Sequence, residues 1–194
     1  MITVLLDSSF RDLAVGIAKN DVMIDQISYE AWQKQSELLI PELDKLLNRN
    51  HIERADISSI IVSFGPGSYT GVRIALTVAK VMAFALDIPL YAVSSLQALK
   101  VGEKPTIVLI NARSERSYIG VYQGAKVIVQ DTIMTNAEAK EYIASHPSYL
   151  ISGDAEYLGI KAIKVNPLTE MLSLKKDILP VKDKLGLTPV YLKE

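Results

Sequence analysis

The chain has 194 residues, 49% of them apolar and 22% charged, with 21 Lys and Arg against 22 Asp and Glu for a formal net charge of −1. That composition holds material for one core or two small ones and excludes a disordered chain. The charge balance excludes the basic excess that lets a chain bind nucleic acid strongly by itself, and the lack of cysteine excludes disulfides and thiolate chemistry.

Ile2 to Leu6 reads as a buried strand ending at Asp7, Ser8 and Ser9. Leu13 to Ala18 and Val22 to Ser28 read as two more strands, turning at Asn20 and Asp21, so the chain opens as an antiparallel meander. The opening residues lack a basic leader, an apolar core and a small-residue cleavage site; a cytoplasmic protein is expected. From Lys34 to Asn50 the period becomes helical, with Leu38, Leu39, Leu43, Leu46 and Leu47 on one face. Pro41 lies inside that stretch and predicts a kink, or a helix starting near Ile40.

Ile60, Ile61 and Val62 form a short β-branched run, and Gly65, Pro66 and Gly67 break it sharply. Ser68 or Thr70 can cap the following helix, which runs from Gly71 to about Leu86 and closes at Asp87 and Pro89. This helix is apolar on most sides, interrupted by Arg73, Thr77 and Lys80. Gly71, Ala75, Ala79 and Ala83 recur every fourth residue and make a smooth stripe that another helix could approach closely. Two readings fit: a helix buried between its sheet and its neighbours, or one with a second face on another subunit. Arg73 and Lys80 argue against a membrane span.

Leu90 to Val93 is the next strand, and Val101 to Pro105 reads as a linker. Thr106 to Asn111, Ser117 to Tyr122 and Lys126 to Met134 read as a second meander. A helix opened by Thr135 or Asn136 with Glu138 in its first turn follows, then a strand at Tyr149 to Ser152. One helical turn is expected at Ala155 to Leu158 and a short helix near Met171 to Leu174. The two halves share the order strand, strand, strand, helix, strand. That echo predicts an α/β fold with a duplicated core, divided into residues 1–102, carrying the apolar helix, and a shortened 103–194.

Candidate chemistry is sparse. Backbone amides at the Gly65–Gly67 turn could hold an anion, but the Gly65, Gly67, Gly71 spacing misses G-x-G-x-x-G by one residue and no P-loop lysine follows. A tight structural turn is the competing reading. Asp7 could hold a hydrated metal near a phosphate or could cap its own turn. His51 and His146 lie far apart in polar contexts, G-x-S-x-G is absent, and Arg113, Glu115 and Arg116 read as a solvated turn, with a polar contact to a partner as the alternative.

The segment Ser63-Phe-Gly-Pro-Gly-Ser-Tyr-Thr-Gly-Val-Arg-Ile, continuing to Val93-Ser-Ser-Leu-Gln-Ala-Leu, resembles the TsaB (YeaZ) family, the dimerisation subunits of bacterial tRNA threonylcarbamoyladenosine synthesis. Asp7-Ser8-Ser9, Gln35-Ser-Glu-Leu-Leu-Ile-Pro-Glu-Leu, Asn111-Ala-Arg before Tyr118 to Tyr122, and Pro189-Val-Tyr-Leu-Lys resemble further family segments in the right order. Gln35 stands where histidine is usual. The resemblance implies an actin-like ATPase (sugar kinase–Hsp70) fold of two subdomains. It also implies a paralogous partner, TsaD, whose V-N-H-x-x-G-H carries two metal-binding histidines. Ser95 and Leu99 occupy those positions here, and neither can replace an imidazole ligand. The resemblance therefore implies no catalytic residue, no metal and no cofactor. It implies a non-catalytic subunit that pairs with TsaD, or with its own copy when alone, is joined by the ATPase TsaE, and reaches tRNA only through the complex. The partner interface it implies comprises Gly71, Arg73, Ile74, Ala75, Thr77, Val78, Ala79, Met82 and Ala83. Asp7, Ser8, Ser9, Gly65, Pro66, Gly67 and Ser68 would form at most a degenerate nucleotide or anion site. The competing class is an enzyme acting alone, either an actin-like phosphotransferase or a metallopeptidase.

Overall fold

A computed structural model describes residues 1–31 and 33–192. Two mixed sheets carry the chain. The first has the order β3-β2-β1-β4-β5, built from β1 (Ile2–Asp7), β2 (Asp12–Lys19), β3 (Val22–Glu30), β4 (Ile57–Ser63) and β5 (Leu90–Val93). β1, β2 and β3 form the antiparallel meander, while β4 and β5 add parallel to β1. The second sheet has the order β8-β7-β6-β9, from β6 (Thr106–Arg113), β7 (Arg116–Gln123), β8 (Lys126–Thr135) and β9 (Leu150–Gly153). Its meander is again antiparallel, and β9 again adds parallel to the first strand. The expected duplication is therefore present. Where β5 stands in the first sheet, the second has a single parallel bridge between Ser152 and Ile163.

Burial follows from layering. β1 is buried at all six positions because helices cover both faces of its sheet, whereas the edge strand β3 alternates. On one face, α1 (Gln35–Arg49) sets Leu39, Leu43, Leu46 and Leu47 against Val4, Leu6, Val15 and Ile60. α2 (Tyr69–Ala85) joins the same core through Ala75, Leu76, Ala79 and Ala83. On the other face, α4 (Pro167–Leu174) buries Leu168, Met171 and Leu174 against Leu5, Ala14, Ala18 and Ile61. Chain order and spatial grouping thus diverge past residue 160, since α4 returns to the first sheet. The second sheet carries α3 (Asn136–Ser145) on its outer face. Its inner face contributes Val108, Ile110 and Tyr122 to a cluster that takes in Phe10 and Leu192.

Two helix starts differ from expectation. α1 begins at Gln35 and continues through Pro41, so a start near Ile40 is corrected. Proline removes the bond to the Glu37 carbonyl, but Glu37 is exposed and the leucine face supplies tertiary burial that outweighs the lost bond. α4 starts four residues before Met171. Asn166 caps it by accepting from the Leu168 amide at 3.0 Å, and Pro167 takes the first helical position. α3 opens on the expected capping box, with Thr135 and Glu138 exchanging side-chain and backbone bonds. Lys193, the last residue of the closing motif, lies outside the described residues.

Candidate functional site

The end of β1 and the start of α2 are locked together. Ser8 Oγ donates to the Gly71 carbonyl at 2.7 Å and accepts from the Ala75 amide at 3.2 Å. The Ser68 amide donates to the Ser9 carbonyl at 2.7 Å. A Cβ on Gly67 would lie 2.2 Å from the Ser9 carbonyl oxygen, and one on Gly71 would lie 2.0 Å from that of Ser8, so glycine is required by space at both positions. Gly65 adopts φ +105° and packs under the Val190 backbone. Ser68 is the helix cap, accepting from the Gly71 amide at 3.3 Å.

Asp7 is buried and turned inward. One carboxylate oxygen accepts from the Ser9 amide at 3.0 Å and also from the Ser63 hydroxyl. Ser8 and Ser9 are buried beside it, as are Gly65 and Pro66. The residues proposed for an anion therefore converge in space, but their polar groups are engaged by one another and by Ser63, Gly71, Ala75 and Ser95. Among the described residues no cluster of three His, Asp or Glu could hold a metal. Ser95 is buried and accepts from the Gly65 amide at 3.1 Å, bracing the glycine turn, and Leu99 is half-buried in the inter-sheet cluster. His51 is exposed, and His146 ends α3 stacked on Tyr142 with ring centroids 4.3 Å apart.

A cleft of about 580 Å³ opens between the sheets beside this lock. Phe10, Arg11, Gln35 and the Gly67–Gly71 turn line one wall; Asn111, Arg113, Tyr118 and Asp154 line the other. Burial raises the Asp154 carboxyl above its ordinary value, while Arg11 pulls it down and Glu156 pushes it up. Gln35 donates towards the carbonyls of Phe10 and Arg11 at 3.4 and 3.3 Å, so the glutamine in the histidine position ties α1 to the first turn.

α2 divides the expected interface residues into two sets. Gly71, Ala75, Ala79 and Ala83 are buried against the chain's own sheet, so the small-residue stripe is the inner face. Small side chains are needed there because the helix lies close over β1 and β4. Arg73 and Thr77 are exposed, and Ile74, Val78 and Met82 are half-buried on the flank. Three residues outside the expected interface stand out most on this helix: Tyr69, Val81 and Phe84, exposed at 58%, 58% and 61%. Their signal is the outward ridge Arg73, Thr77, Val81, Phe84, at three- and four-residue spacing. The C-terminal segment borders this ridge. The Val190 amide donates to Phe64, Lys80 donates to the Leu187 carbonyl at 2.8 Å, and Lys184 reaches the Ala83 carbonyl and Asp87.

A family model described as TsaD, tRNA N6-adenosine threonylcarbamoyltransferase, matches residues 29–153. A Bacillus subtilis protein named tRNA threonylcarbamoyladenosine biosynthesis protein TsaB is 34% identical over 137 residues, 69% of this chain and 60% of that protein. The chain belongs to the TsaB/YeaZ family. A TsaB protein of Buchnera aphidicola is 28% identical, covering 90% of this chain and 85% of the relative. YeaZ from Pseudomonas aeruginosa superposes with a TM-score of 0.79 at 23% identity, covering 98% of this chain and all of the other. The ethanolamine utilization protein EutJ from Carboxydothermus hydrogenoformans superposes with a TM-score of 0.50 at 10% identity, covering 89% and 87%. The fold is the actin-like ATPase α/β fold. None of the described helices is long and apolar enough to cross a membrane.

Proposed function

We propose that this protein is a non-catalytic docking subunit of the cytoplasmic machinery that places threonylcarbamoyl on the adenosine beside the tRNA anticodon. In this reading the outer face of α2 binds TsaD, or a second copy when TsaD is absent, and TsaE and tRNA join through the complex. The supporting observation is a helix that has already filled its own core with Ala75, Leu76, Ala79 and Ala83 yet still presents Val81 and Phe84 outward. An apolar ridge on a helix of about 25 Å is the central strip that an interface of about 800 Å² per partner needs. Ser95 and Leu99 in the histidine positions, and the inward-turned Asp7, support a subunit without its own metal chemistry.

The test is Val81→Glu. Val81 is exposed, so the fold should be unaffected, with a stability change within about 0.5 kcal/mol. Pull-down with TsaD should fail, and reconstituted modification from tRNA, ATP, threonine and bicarbonate should drop to the level seen when this subunit is omitted. Unchanged binding would remove α2 as the docking face. The enzymatic alternative has the inter-sheet cleft in its favour. Tight ATP binding with turnover by the chain alone would establish it.

A further inference from the structure

We propose that Arg73 is the receptor for a carboxylate on the partner's pairing helix, and that Tyr69 and Tyr191 are positioning residues that hold its guanidinium for that contact. The inference rests on the docking reading of α2 and adds the chemistry of what docks there. The Arg73 guanidinium carbon lies 4.0 Å from the centroid of the Tyr69 ring and 5.6 Å from that of Tyr191. The two rings are themselves stacked, with centroids 5.0 Å apart. Arg73 Nε donates to the Tyr191 hydroxyl at 2.6 Å. A guanidinium has five N–H donors in a fixed fork, and Tyr191 takes one of them. A long, mobile side chain is thereby held still on an exposed ridge, so the entropy of ordering it is met before a partner arrives.

Charge selects the occupant. Residues 69–85 contain Arg73 and Lys80 and no Asp or Glu. Lys80 is engaged by the Leu187 carbonyl, which leaves Arg73 as the exposed cation of the ridge. A second copy of this helix would bring more cations and no anion. A different helix carrying Asp or Glu opposite Arg73 supplies the missing charge and accepts a bidentate fork. The observations therefore favour a different helix that carries a carboxylate, which in the docking reading belongs to TsaD, over a second copy of this chain.

The experiment measures the dissociation constant of the full-length chain for the TsaD protein of the same organism, at about 0.05 and 0.5 M salt. Variants are Arg73→Gln, Arg73→Lys, Tyr191→Phe and Val81→Glu, with melting temperature as the fold control. Arg73→Gln is expected to weaken binding about tenfold or more and to flatten the salt dependence. Arg73→Lys should restore the salt dependence but only part of the affinity. Tyr191→Phe keeps the ring, and it should weaken binding less than Arg73→Gln while keeping the salt dependence. Self-association of Arg73→Gln should equal or exceed that of the parent. Unchanged affinity and salt dependence for Arg73→Gln, with Val81→Glu abolishing binding, would overturn the inference and leave the docking face standing. Binding that survives Val81→Glu would overturn both.

Discussion

Gly71→Ala tests which way the small-residue stripe of α2 faces. An added Cβ would sit 2.0 Å from the Ser8 carbonyl oxygen and 3.2 Å from Ser68 Cβ. The nearer contact is backbone, so relief requires the first turn of α2 to move away from the end of β1. That movement stretches both bonds of Ser8 Oγ, to the Gly71 carbonyl and from the Ala75 amide. Overpacking of this kind costs about 1–3 kcal/mol, and two weakened buried hydrogen bonds add about 1 kcal/mol. The better helix propensity of alanine returns roughly 0.5–1 kcal/mol. The net expectation is a loss of about 1–3.5 kcal/mol, or roughly 2–14 °C in melting temperature for a chain of this length. Urea unfolding of the isolated chain, followed by circular dichroism, measures it with no partner present. If Gly71→Ala were as stable as the parent and lost only partner binding, the stripe would face outward and the packing argument would fail.

Two further predictions concern the joints between the halves. Lys100 is 2% exposed and paired with Glu170, whose other oxygen accepts from the Gly102 amide at 3.3 Å, so this pair ties α4 to the linker. Glu170→Leu should cost about 3 kcal/mol by leaving a buried ammonium without a counter-charge, with only the Gly102 carbonyl to donate to, and adding Lys100→Met should restore most of it. Equal losses in the single and double variants would show that the pair does not govern this joint. Asp131 accepts from the hydroxyls of Tyr122 and Ser94, linking the second sheet to the turn after β5. Burial raises its carboxyl above the ordinary 3.8, against the pull of those two hydrogen bonds. A raised folded value means its contribution to stability is full below about 3.8 and is lost as pH climbs through the folded value. Asp131→Asn, which carries no charge, should therefore gain stability relative to the parent as pH rises across that window in denaturation series. A pH-independent difference would refute the assignment.

Much of the fold is legible in residue order. The β-branched runs, the period change at α1, and the Thr135 and Ser68 caps all act within a few residues of chain, where local sterics and short hydrogen bonds dominate. The duplicated meander follows because two antiparallel hairpins and a parallel return leave the same pattern twice. The start of α4 carries an equally local signal, an Asn-Pro pair that supplies both cap and first-turn residue, and the expectation of a helix near Met171 missed it. The destination of α4 carries none. Nothing within residues 167–174 distinguishes the back of the first sheet from the face of the second.

The site divides along the same line. By itself the sequence determines that the stretch from Gly71 to about Leu86 forms a helix with more apolar surface than one stripe, that its cations are Arg73 and Lys80, and that Ser95 and Leu99 stand at the ends of the Ser95-Leu-Gln-Ala-Leu99 run. Only the tertiary structure decided that the alanine stripe turns inward, that Val81 and Phe84 turn outward, and that Tyr191 closes over Arg73 from 118 residues away. Periodicity records which side chains share a helix face; which face meets the sheet depends on how closely α2 lies over β1, a distance set by the Ser8 lock and by contacts remote in the chain.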